Sequence, residues 1–262
     1  MLVFSRQAVG AFLAVCLCIS GVGLLQYPRL QKLIAIKKNV SLETLEKEIN
    51  QEKTRLNLLK KTPSFGYDNL IANWVYLNFL QYFGDDEARA KIGYSLSPEY
   101  FEVILKRDPR FLQAYLALSN STSMYAAMPE RSIRLMEEGL KSLSPKVPQR
   151  AYYVWRYKGI DELLFLGNSQ ASEQSFTEAA SWASKYIDEE SKKIAYLSYK
   201  TAKFLHKNPN SKYAQISTWT MVLNNQVDEK NRQRAIREIE ALGGEVIKND
   251  DGTIRIKLPE KD

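Results

Sequence analysis

The stretch that decides the fold is residues 129–186, PERSIRLMEEGLKSLSPKVPQRAYYVWRYKGIDELLFLGNSQASEQSFTEAASWASKY. It reads as three helices with two breaks. Pro129 opens the first, because proline is favoured in a first helical turn, and Ser144-Pro145 closes it. Pro148 opens the second, which runs through Tyr152, Trp155, Gly159, Leu163 and Leu166 and stops at Gly167-Asn168. The third continues to about Tyr186. Ser132, Met136 and Gly139 are spaced by four and three, and Ser172, Phe176 and Ala179 repeat that spacing 40 residues later. Small residues at such positions let a helix approach its neighbours closely, and the larger residue between them fills the gap. Connections this short make neighbouring helices antiparallel partners.

The same punctuation extends in both directions. Segment 66–83, GYDNLIANWVYLNFLQYF, places Leu70, Trp74, Leu77 and Leu80 at helical spacing, with Ile71 and Tyr76 alongside, and ends at Gly84-Asp85-Asp86. Ser97-Pro98 opens a helix that stops at Asp108-Pro109. Segment 110–127 carries Phe111, Tyr115, Leu118 and Tyr125. Further helices are expected at 189–207, 211–226 and 229–242, broken by Asn208-Pro209-Asn210 and Gly243-Gly244. After that the period becomes two: Val246, Ile254, Ile256 and Leu258 flank Asp251-Gly252, a β-hairpin signal. The expected fold is therefore mostly α, an array of helical hairpins with a small C-terminal β-hairpin docked on the last helix.

The 132/136/139 and 172/176/179 triplets, with Asp108-Pro109 and Asn208-Pro209 at the ends of second helices, resemble the tetratricopeptide-repeat pattern over residues 66–226. The usual repeat is shorter, and the signature of its first helix survives only as Trp155-x3-Gly159, so the resemblance is to a tetratricopeptide-like array. The phrases Asn73-Trp74 to Tyr82-Phe83-Gly84-Asp85, and Asp108-Pro109-Arg110-Phe111 to Tyr115, look like those of membrane-anchored helical-repeat proteins of bacteria. Residues 151–167 are similar to proteins of photosynthetic bacteria. These likenesses imply a plasma-membrane or thylakoid setting and a role in binding other proteins.

The N-terminus points to the same setting. Residues 8–25, AVGAFLAVCLCISGVGLL, carry no charge. As a helix they would rise roughly 27 Å, close to the hydrocarbon thickness of a bilayer. A cleaved signal peptide is the competing reading; its apolar region is shorter and ends at a small-x-small site, for which Gly21-Val22-Gly23 is a poor match. The lipid bilayer is thus an expected partner through residues 8–25, a single-pass transmembrane helix. Arg29, Lys32, Lys37 and Lys38 form a basic collar, which by the positive-inside rule places the main domain on the cytoplasmic side. Of the net charge of +7, residues 1–38 supply five basic residues and no acid. The remainder is nearly balanced, which argues against nucleic-acid binding. Both cysteines, Cys16 and Cys18, lie in the apolar run, so no disulfide framework or cysteine zinc site is expected beyond it.

Residues 41–61 read as a charged helical stalk. Leu42, Leu45, Ile49, Leu56 and Leu59 follow a 3–4 spacing, with Glu52 in the sixth slot. Either the stripe lies against the following domain or it forms a homodimeric coiled coil through residues 42–59. The expected organisation is anchor 1–28, collar and stalk 29–64, helical-repeat domain 65–242, and hairpin and tail 243–262.

Catalytic machinery is not legible. His206 is the single histidine and sits at a helix end. Asp161 and Glu162 are adjacent, so they point about 100° apart on a helix, and an ion pair across to another helix is their expected role. Asp85-Asp86-Glu87 lacks the series of a calcium loop, and no phosphate-loop, nucleophile-elbow or zinc-protease motif occurs. No catalytic residue, metal or cofactor is expected. A hydrolase using carboxylates such as Glu162 is the runner-up, and requires a cleft with a second acid. Polar and aromatic residues on first helices suit a concave surface that holds a protein or peptide: Asn73, Tyr76, Tyr115, Asn120, Tyr153 and Arg156.

Overall fold

The computed structural model describes residues 12, 15–28, 42–209, 211–224, 229–248 and 254–262. They fall into two compact units, Met1–Glu48 and Ile49–Asp262. In the first, residues 15–28 are helical (α1), with exposed apolar side chains such as Leu17, Ile19, Leu24 and Leu25. Among the described residues no helix is long and apolar enough to cross a membrane. Residues 8–11, 13 and 14 of the apolar run, and the collar residues Arg29, Lys32, Lys37 and Lys38, lie outside the described residues.

Helix α2 (Leu42–Lys61) passes from the first unit into the second. There follow α3 (Asp68–Phe83), α4 (Asp86–Ile92), α5 (Ser97–Arg107) and α6 (Leu112–Leu118), a π-helix (Ser119–Tyr125), α7 (Pro129–Leu140), α8 (Tyr152–Leu164), α9 (Ser169–Ala183), α10 (Glu189–Lys207), α11 (Lys212–Asn224) and α12 (Glu229–Ala241). Strands β1 (Glu245–Lys248) and β2 (Ile254–Lys257) pair antiparallel, Val246 opposite Ile256. The fold is mostly helical, as the punctuation predicts.

Local chemistry explains the ends. Asp85, Asn168 and Asp188 cap α4, α9 and α10 by accepting from the backbone N–H of Ala88, Ala171 and Ser191, which satisfies donors that the first turn leaves open. Pro98 and Pro129 occupy first turns. Arg107 donates to the carbonyls of Leu59, at 2.6 Å, and Thr62, and so closes the C-terminal end of α2. The acidic turn at Asp85 is therefore a helix start.

The main core joins Phe79 of α3, Tyr100, Phe101 and Ile104 of α5, Tyr115 and Leu118 of α6 and Met136 of α7. Leu56 is buried within it, with Ile49 and Leu59 packed against it. The lower half of the stalk stripe thus lies on the domain, and the coiled-coil reading loses these three positions. A second cluster gathers Trp219, Ile216 and Ile239 beneath Val246 and Ile256 of the hairpin, and a third gathers Leu163, Phe176, Ala202 and Leu205. Both triplets lie at packing positions. Ser132, Met136 and Gly139 are buried on α7, and Ser172, Phe176 and Ala179 on α9.

The structure adds to or corrects three readings of the sequence. The stripe Leu70, Trp74, Leu77 and Leu80 is exposed, and α3 packs through Ala72, Val75 and Phe79; the helix is apolar on more than one side, so periodicity alone does not choose its buried face. Segment 110–127 is not one α-helix, because it widens at Ser119 into the π-helix. The connection after Gly84 holds a further short helix, α4.

Candidate functional site

The densest polar chemistry lies where α8 meets the π-helix and α7. Asp161 is fully buried. It accepts hydrogen bonds from Ser119 (2.7 Å), Ser123 (2.5 Å) and Ser132 (2.9 Å). The widened turn carries both Ser119 and Ser123 to one carboxylate. The amide of Ala126 reaches five residues back to the carbonyl of Ser121, at 2.9 Å, which is the π pattern. Burial pushes the Asp161 carboxyl up to about 6; the three serines pull against that rise and Glu162 adds to it.

Glu162, also buried, points elsewhere. Its carboxylate accepts from Lys158, one turn earlier on the same helix, and from Ser175 of α9 at 2.6 Å. Lys158 also lies 3.3 Å from Glu137. The ion partner is therefore on α8 itself, whereas a partner across on another helix was expected. The neighbouring element supplies a hydroxyl instead. Both acids are buried, and the two carboxylates have separate sets of partners.

An open cleft of about 560 Å³ lies between the end of α2, α5 and α7, lined by Lys60, Glu102, Lys106, Arg134 and Glu138. Lys60 and Arg131 both bond Glu99 and Glu102, which ties the three helices together. Burial pushes the Glu99 carboxyl up, but Arg131 and Lys60 outweigh it and its pKa lies below the ordinary value.

The six predicted surface residues do not share one face. Tyr115 is buried: its ring lies beneath Gly139, where an added Cβ would stand 1.9 Å from the phenol oxygen, and its hydroxyl donates to the Pro109 carbonyl at 2.7 Å. It is a packing residue, because a glycine on α7 leaves the space for it. Asn73 on α3 and Asn120 on the π-helix are exposed. Tyr76 is half-buried, edge-on to Phe111 at 4.8 Å. Tyr153 and Arg156 do come together on α8, with the Tyr157 ring 6.0 Å from that of Tyr153. Tyr153 donates to Glu190 at 2.9 Å and Arg156 to Ser198 at 2.8 Å. Burial and the bond to Glu190 push the Tyr153 phenol up to about 12. His206 is exposed beside Glu173, 2.9 Å away. Among the described residues no group of three or more His, Cys, Asp or Glu could hold a metal ion.

An exposed apolar surface at the start and along one side of α3 is not among the six predicted residues apart from its neighbours Asn73 and Tyr76. Phe65, Tyr67, Leu70, Trp74, Leu77 and Leu80 are all exposed, four of them on one side of α3, and the Arg55 guanidinium lies 4.7 Å from the Trp74 ring. The spacing of these residues was visible in the sequence, and it also fits a core stripe. Comparison with protein-family models, curated proteins and solved structures found no match.

Proposed function

We propose that this chain is a membrane-tethered, tetratricopeptide-like protein that binds a protein partner at the bilayer, in the assembly or stabilisation of a membrane complex. The observation that carries this reading is the exposed face of α3. Contiguous apolar patches of this kind are uncommon on a protein that works alone. With aromatic side chains contributing 150–250 Å² each when fully exposed, the patch offers on the order of 600–800 Å², comparable to one side of a standard interface. Its Trp and Tyr are the residue types that anchor interfaces. The two buried triplets support the repeat-like array, and the uncharged run 8–25 with its basic collar supports the tether and a cytoplasmic-facing domain.

A non-catalytic role accords with Asp161 and Glu162 lying inside the protein on serines and a lysine, where a carboxylate hydrolase needs them beside a cleft. The test is affinity purification of the tagged full chain from membranes in mild detergent. The comparison is wild type, Leu77→Asp on the α3 face, and Lys146→Glu on a distant surface. A near-stoichiometric foreign protein retained by wild type and Lys146→Glu and lost with Leu77→Asp is the expected result. A bait-only monomer in all three would refute the reading. A bait dimer lost with Leu77→Asp would make a second copy the occupant and the protein a homo-oligomeric scaffold.

A further inference from the structure

Helix α10 has two unlike sides. Ser191, Ser198, Ala202 and Leu205 are buried. On the opposite side Lys193, Lys200, Lys203 and Lys207 fall within an arc of roughly 80° at 3.6 residues per turn. All four are exposed. Tyr196 stands among them, Leu197 and Phe204 border one edge, Tyr199 the other, and all four of these are exposed as well. The Lys200 ammonium lies 4.8 Å from the Tyr196 ring and that of Lys203 6.0 Å from Tyr199. No acidic residue occurs between Ser191 and Lys207. The acids of the first turn are already matched: Glu190 and Asp188 face Arg150, at 2.6 and 3.9 Å, and Glu189 faces Lys192 at 2.8 Å. Among the described residues no carboxylate pairs with the other four lysines.

We propose that this outer face of α10 docks flat on an anionic lipid surface. The complementarity is of charge and of depth. Four unpaired lysines match anionic headgroups, each strengthening attachment about fivefold near such a surface. Lysine stems run along apolar surface while the ammonium stays at the headgroups. Tyrosine belongs at that level, and Leu197 and Phe204 reach the acyl boundary. The 19 residues of α10 make a contact roughly 28 Å long. A nucleic-acid groove would favour the arginine fork, and this face has none. The inference goes beyond the α3 reading and does not depend on the N-terminal anchor.

The test is lysine footprinting of the full chain. Brief acetylation with an N-hydroxysuccinimide ester, read lysine by lysine by mass spectrometry, compares phosphatidylcholine vesicles with vesicles containing 30% phosphatidylglycerol. The expected result is at least fivefold slower labelling of Lys193, Lys200, Lys203 and Lys207 on the anionic vesicles alone. Exposed Lys141 and Lys146 should be unchanged, and protection should be lost at 0.5 M NaCl, where screening shortens the reach of charge. Lys200→Gln with Lys203→Gln, both on the solvent side, should weaken attachment through this face about 25-fold, seen as labelling of Lys193 and Lys207 at the free rate. Equal labelling on both vesicle types overturns the proposal. So does protection of the four lysines by poly(U) RNA or polyglutamate in solution without protection by the anionic vesicles, which would assign the face to another class of partner. Flotation with phosphatidylcholine vesicles reports the anchor separately, so the two readings fail independently.

Discussion

Replacing Asp161 with Asn should make the protein more stable at neutral pH and flatten part of its pH dependence. The carboxyl titrates near 6 in the folded state and near 3.9 when unfolded, a gap of about two units, or about 3 kcal/mol. The sign follows from proton binding. Between these values the native state holds the proton more tightly than the unfolded state, so this group supports folding fully below about pH 4. Its contribution falls as pH rises through about 6, where a buried anion must be maintained. Asparagine stays neutral throughout and can still accept from two serines and donate to the third. The stability difference, Asn minus Asp, should therefore shift in favour of Asn by about 2–3 kcal/mol between pH 4 and pH 7. Hydrogen bonds and neighbouring charge hold Asp68 and Asp188 below their ordinary range, so their contributions run the other way. They are common to both proteins and cancel in the difference. Urea unfolding in one detergent, followed by circular dichroism at four pH values, measures it. Parallel curves for the two proteins would refute the account of a buried, proton-holding carboxyl.

Gly139→Ala places a methyl 1.9 Å from the Tyr115 hydroxyl and 2.7 Å from its ring. It should cost about 3 kcal/mol as overpacking, and Tyr115→Phe should cost less in that background than alone, read from a double-mutant unfolding cycle. Lys158→Met removes the ion partner of buried Glu162 and should cost about 3–5 kcal/mol, most of it recovered by adding Glu162→Leu; thermal unfolding of the three variants checks this.

The elements that the sequence declares locally are the ones that agree with the structure. Proline and glycine punctuation locates α5, α7, α8 and α9, and Asp251-Gly252 between alternating runs announces the hairpin. The small residues of the triplets have visible causes, since Gly139 admits the Tyr115 ring and Ser132 reaches Asp161. The buried face of α3 is not legible because apolar residues occupy several sides of it. The Asp161 site is not legible either. Its serines stand 42, 38 and 29 residues away in the chain, and only packing chooses among the many serines at such distances. The π-turn that gathers two of them has no composition that separates it from an α-helix.

That single carboxylate has a consequence for how the domain comes apart. Helical arrays normally behave as chains of nearly independent links, each held only by its neighbours, and they fray from the ends inward. Here one acid on α8 is gripped by two serines of the π-helix and one of α7. None of these three elements can open without stranding a buried polar group in the others. The π-helix, α7 and α8 should therefore exchange their amide protons as one cooperative block, while helices without a share in this carboxylate open on their own.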